Sequence, residues 1–135
     1  MEEKLATDLV QLVKDAYASM LERGDIEGFL DFFAEDGALL EADTLPYGGR
    51  HVGRDAIRSA LHKMAGSFSN FSFQPEVFTT ADEWVVVYGT FTATARNSGK
   101  TASFKLAEAV HIVDGKIKLI NPVYGDTAAI LEILR

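Results

Sequence analysis

The chain has 135 residues, 47% of them hydrophobic, which suits a single compact domain over 1–135 with a sizeable core. Its formal charge of −7, with Lys and Arg scattered, argues against a nucleic-acid partner or an anionic membrane surface. There is no cysteine, so disulfides, thiolate catalysis and Cys-ligated zinc are excluded.

The first segment, MEEKLATDLV, is acidic and amphipathic, with neither the basic nor the apolar stretch of a secretory leader. A reducing cytoplasm is the expected compartment. Leu9, Val10, Val13, Tyr17, Met20 and Leu21 recur three and four apart and predict a helix over 4–22. Gly24 ends it and Asp25 is placed to cap a second, mostly apolar helix over 26–34, which makes a helical hairpin. A short strand over 37–42 leads into a glycine-rich loop, and a third helix is expected over 54–65 with Ile57, Leu61 and Met64 on one face.

Beyond residue 68, aromatic and β-branched residues dominate. Turn signals at Ala81-Asp82, Asn97-Ser98-Gly99 and Asp114-Gly115 divide them into strands at 70–79, 84–96, 101–113 and 116–124. A last helix runs from Thr127 to Leu134. Helices followed by antiparallel strands make an α+β pattern. A curved mixed or antiparallel sheet wrapped around the helices would form a cone, with a pocket wherever inward side chains leave it unfilled.

Three polar residues fall on elements expected to face that cone. Alone, Tyr17 reads as a core tyrosine and Glu41 as a strand end meeting water. Glu108 is harder to dismiss, because it shares strand parity with Phe104, Leu106, Val110 and Ile112. A carboxylate in an apolar row is costly unless paired, hydrogen-bonded or protonated. Two alternatives stand beside this. A bulge could turn Glu108 outward, and a one-residue shift in register would place Ala109 inward together with Lys105 and His111.

Two carboxyls and a phenol in an apolar pocket form a capable acid–base set. A buried acid can stay protonated and donate, while the other stays ionised and accepts a proton. Phenol and neutral acid together can hold a developing oxyanion. The Gly48–Gly53 stretch matches no phosphate-binding fingerprint. His51, His62 and His111 lack metal-ligand spacing, so neither metal nor cofactor is expected. The glycine-rich stretch reads as a turn that could serve as a lid. Trp84, Val86 and Tyr88 alternate opposite Val85, Val87, Gly89 and Phe91, so both faces of that strand are apolar. One face must be covered by a second copy, making a homodimer, or by the chain's own terminal segments.

The run AYASMLERGDIEGFLDFFAEDGALLE, the loop LPYGGRHVGRDAI and the ending DGKIKLINPVYGD resemble the ketosteroid-isomerase/SnoaL-like branch of the NTF2-like superfamily. The resemblance spans nearly the whole chain and implies an NTF2-like cone. Tyr17 precedes the hairpin Gly24 by seven residues, as the catalytic tyrosine does in those isomerases. Glu41 falls at their general base, and Glu108 at the acid that an apolar site keeps neutral. Both acids are Glu where the isomerases use Asp, and the PYGG loop is longer.

The likeness thus points to the wider SnoaL-like group of polyketide cyclases, dehydratases and epoxide-opening hydrolases more than to steroid isomerisation. It implies a cofactor-independent enzyme acting on a small, largely apolar metabolite. Tyr17, Glu41 and Glu108 would be catalytic, with Phe33, Leu61, Phe91, Leu106, Val110 and Tyr124 shaping the pocket. A non-catalytic ligand carrier or association domain on the same fold is the alternative.

Overall fold

The computed structural model describes residues 2–135. Helix α1 spans Glu2–Tyr17 and α2 spans Ile26–Leu30. Strand β1 is Phe33–Glu41, β2 is Gly49–Val52, and α3 is Arg54–Ser67. The long strands are β3 Phe68–Ala81, β4 Trp84–Ala95, β5 Thr101–Val113 and β6 Lys116–Tyr124. Helix α4, Thr127–Ile133, closes the chain.

The six strands form one curved, open sheet in the order β2-β1-β6-β5-β4-β3. Only β1 and β6 run parallel, so their C-terminal ends, Glu41 and Tyr124, emerge at the same edge. The β5–β6 turn is a two-residue hairpin with Asp114 at φ 52° and Gly115 at φ 74°, the left-handed pair such a turn requires. In β3 a bulge between Pro75 and Val77 bends the strand over β4. Gly89 lies opposite that bulge, where a Cβ would run into the Gln74 carbonyl, so the bend needs glycine there.

The sheet's concave face packs on the helices. Val85, Val87, Phe91, Leu106, Val110 and Ile112 meet Val13, Ala16, Ile57 and Leu61 in one core.

Three elements differ from the sequence reading. The first helix is α-helical only to Tyr17. Ala18–Glu22 is a single π turn, closed by the Arg23 N–H on the Ala18 carbonyl at 3.1 Å. Such turns widen a helix locally and are frequent at functional sites.

The second helix stops at Leu30, not 34. The Ile117 N–H donates to the Phe32 carbonyl at 2.8 Å, so the sheet takes the segment that apolar content assigned to the helix. The glycine-rich stretch contains a true strand, β2, with Leu39 opposite His51 and Glu41 opposite Gly49.

Register also settles the orientation of β5. Glu108 pairs with Val87 and Leu106 with Gly89 on the buried face, while Lys105 is exposed and His111 stacks on Trp84 at 4.6 Å. The shifted register with Ala109 inward is therefore not adopted.

On the convex face, Val77, Val86, Tyr88 and Val123 remain exposed, and the terminal segments do not cover them. No helix among the described residues is long and apolar enough to cross a membrane.

Candidate active site

A cavity of about 80 Å³, widening to about 610 Å³ when the open solvent at its mouth is counted, lies between the concave sheet, the π turn and α3. Its wall is apolar except for four side chains: Tyr17, Glu41, Glu108 and Tyr124. Tyr17 ends α1, Glu41 ends β1, Glu108 sits mid-β5 and Tyr124 ends β6. Four distant segments thus deliver their polar groups to one chamber.

Glu41 is 5% exposed. Its Oε1 accepts a hydrogen bond from the Tyr124 hydroxyl at 3.1 Å, and that hydroxyl lies 3.1 Å from the Tyr47 hydroxyl. Burial pushes the Glu41 carboxyl up to about 8; the Glu108 charge adds to this and the Tyr124 bond opposes it.

Glu108 is half-buried as a residue. The surface it keeps opens onto the cavity, so burial still dominates and raises it to about 7, against a lowering influence from Tyr17. At neutral pH the pair holds roughly one proton, because two buried carboxylates facing one chamber repel. Glu41 is raised further than Glu108, so in the empty cavity the proton rests on Glu41, by a margin no larger than one hydrogen bond to a charged group. A bound ligand can therefore decide which carboxyl carries the proton.

The Tyr17 hydroxyl is buried and makes no protein hydrogen bond of normal geometry. Burial and the nearby Glu108 charge hold it far above the usual phenol range, so it is a permanent donor. Glu108 is the polar group beside it: the two share a hydrogen-bonding influence that raises Tyr17 and lowers Glu108. A donor with an unfilled valence thus stands beside a carboxyl in an apolar wall.

Of the expected pocket residues, Leu61, Phe91, Leu106 and Tyr124 line the cavity. Phe33 and Val110 do not; both are fully buried in the packed core away from it. Parity gives the face of a strand but not the depth along the cone. The sequence reading also missed Phe71 and Phe73, which form the β3 wall, and Tyr47, which stands behind Tyr124. Phe71 and Phe73 follow from β3 alternation. Tyr47 carried no signal beyond its place in a turn.

The SnoaL-like domain family matches residues 13–120. The chain belongs to the SnoaL-like family. Solved structures agree with that membership and share the NTF2-like fold. TerC, crystallised with polyporic acid, is 25% identical over 94% of this chain and 98% of its own, with a TM-score of 0.84. An NTF2-like protein from Burkholderia xenovorans LB400 is 29% identical over 96% and 97%, at TM-score 0.83. A protein from Xanthomonas campestris pv. campestris, named as a candidate polyketide cyclase, shares the fold at 23% identity over 97% and 99%, at TM-score 0.79. No curated protein matches the chain. This SnoaL-like domain has an apolar cavity, and its polar side chains cluster at one place in it.

Proposed function

We propose that the protein is a cofactor-independent acid–base enzyme acting on a small, largely apolar metabolite. The carrying observation is the meeting of Tyr17, Glu41 and Glu108 in an otherwise apolar cavity. Glu41 is the general base once the bound substrate's oxygen holds the shared proton on Glu108. It takes a proton from a carbon next to a carbonyl, or from water. The electron pair released moves onto the substrate oxygen, which Tyr17 and protonated Glu108 receive by hydrogen bonding. Returning the proton to a different carbon gives isomerisation. Attack of the enolate carbon on a second carbonyl gives ring closure, and expulsion of a β-hydroxyl gives dehydration. With an epoxide, Glu41 instead takes a proton from water, the water oxygen bonds to a ring carbon as its C–O bond breaks, and Glu108 gives its proton to the oxygen released. TerC, which shares the fold, was co-crystallised with polyporic acid, which supports an organic small molecule as the ligand class.

The test is turnover of a panel of cyclic enones and epoxides by the parent protein, Glu41→Gln and Glu108→Gln. Each substitution is expected to lower kcat/KM by at least ~10²-fold. Unchanged rates in both variants remove the pair from the chemistry, and tight binding without turnover makes the protein a carrier.

We also propose that the protein acts as a homodimer through the convex sheet face. Val77, Tyr88, Ala107 and Val123 align as one cross-strand row over β3, β4, β5 and β6, and three of the four are exposed large apolar groups. Light scattering is expected to give the mass of two chains for the parent and of one for Tyr88→Glu. A monomeric parent overturns the assignment.

A further inference from the structure

The Tyr47–Tyr124–Glu41 chain has a direction that the chemistry above does not use. The Tyr124 hydroxyl donates its one hydrogen to Glu41 Oε1, so toward Tyr47 its oxygen can only accept. Among the described residues the Tyr47 hydroxyl has no other hydrogen-bond partner. Reversing the chain would strand the Tyr47 hydrogen without an acceptor. The network is fully satisfied only when both phenols point their hydrogens toward Glu41.

Backbone geometry brings the three together. Parallel pairing sets Leu39 beside Ile120, so the ends of β1 and β6 lie side by side. The β1–β2 hairpin then carries the chain from Glu41 through residues 42–48 and back to Gly49, directly opposite Glu41. That excursion is anchored rather than loose. Leu45 is 4% exposed and Tyr47 2%. Backbone bonds from Leu45 to Ala42 and from Gly48 to Leu45 brace it. The Tyr47 ring packs edge-on against Phe68 at 6.2 Å, and the Tyr47 carbonyl lies 3.0 Å from His51 Nε2. Asp43, Thr44 and Pro46 stay exposed while Leu45 and Tyr47 turn inward, so the excursion delivers a phenol to the back of the cavity.

We propose that Tyr124 and Tyr47 are positioning residues for Glu41: donating in series, they fix one carboxylate oxygen, stabilise its charge and leave Oε2 free to take the substrate proton. This rests on the reading of Glu41 as the base. Two phenols in series polarise one another, so the second strengthens the first. Burial holds both phenols above their usual range, and they remain donors wherever the fold persists. The other titratable groups facing Glu41 are Glu108 from β5, which opposes its ionisation, and Tyr17 from α1. From α3 only Leu61 and Met64 reach the cavity, and His51 on β2 touches the Tyr47 carbonyl rather than Glu41.

The experiment is a carbon-13 NMR titration of the full chain labelled at the Glu carboxyls. The Glu41 signal is assigned by its loss in Glu41→Gln, and amide spectra verify the fold of each variant. In Tyr124→Phe the Glu41 midpoint is expected to rise by about one pH unit, the size of one hydrogen bond to a charge. In Tyr47→Phe it should rise by less. In the double variant it should match Tyr124→Phe alone, because Tyr47 acts only through Tyr124. A midpoint unmoved by Tyr47→Phe, or shifts that simply add, overturns the proposal; a packing role would move the melting temperature and not the midpoint. No substrate is needed, so the outcome is separable from the catalytic reading. If the midpoints move as stated while Glu41→Gln still turns over substrate, the relay stands and the base assignment falls.

Discussion

Glu41→Gln is expected to be more stable than the parent at pH 8 and no more stable at pH 5. In the folded protein Glu41 titrates at about 8 and Glu108 at about 7, both above the ordinary 4.5. Between those limits the folded state binds more protons than the unfolded chain. Stability must then fall as pH rises, because its slope follows the protons bound unfolded minus those bound folded. Below about 4.5 both carboxyls are protonated in either state and exert no penalty; above about 8 the whole penalty applies. Gln carries no charge to desolvate and its carbonyl still accepts from Tyr124. The expected gain at pH 8 is on the order of 2–4 kcal/mol, less than the full shift implies because the cavity can admit water. Urea denaturation at pH 5, 6.5 and 8 reads it directly. The exposed carboxylates Glu27, Asp36 and Glu76 have lowered values from pairing with Arg58, Lys118 and Lys105, so their contribution is lost only as pH falls below the window. A parent whose stability is flat from pH 5 to 8 would show that the two acids are not buried as described.

The parts of the fold visible in the sequence are those where one local signal coincides with the global answer. Asp114-Gly115 between β-branched runs can only be a tight hairpin, and the alternation of Phe104, Leu106, Val110 and Ile112 sets the inward face of β5. Where tertiary pairing outweighs local preference, the reading drifts. Phe32 and Phe33 look like a continuing apolar helix until the β6 backbone claims the Phe32 carbonyl. Gly49-Arg50-His51-Val52 has almost no strand signal and becomes a strand because β1 offers it an edge. The site divides in the same way. Spacing from Gly24 relates Tyr17 and Glu41 to a known arrangement, and parity relates Glu108 to the cone. The link from Tyr47 through Tyr124 depends on the parallel β1–β6 pairing and on a loop turning its aromatic residue inward. Neither leaves a periodic trace, and a Pro-Tyr-Gly-Gly run looks the same whether the tyrosine points in or out.

Tyr17→Phe should separate stability from function more sharply than any other single change. In most proteins, deleting a buried hydroxyl breaks a hydrogen bond and destabilises. Here the hydroxyl makes no hydrogen bond of good geometry among the described residues, with only Glu108 beside it, while the ring itself packs edge-on against Phe73 at 5.8 Å. Phe keeps that packing and removes only the unsatisfied group, whose burial alone typically costs about 1–3 kcal/mol. Stability is expected to stay level or rise by ~1–2 kcal/mol in thermal or urea unfolding. Turnover should move the other way. The hydroxyl's first full hydrogen bond would be made to substrate oxygen as charge develops there, and losing such a donor lowers kcat by roughly 10²–10³-fold. KM should change little, because a neutral carbonyl gains less from the bond than the oxyanion does. A destabilised Tyr17→Phe would mean the hydroxyl is already bonded in the resting protein. A stable variant with undiminished kcat would mean that the cavity uses Glu108 alone to hold the oxyanion.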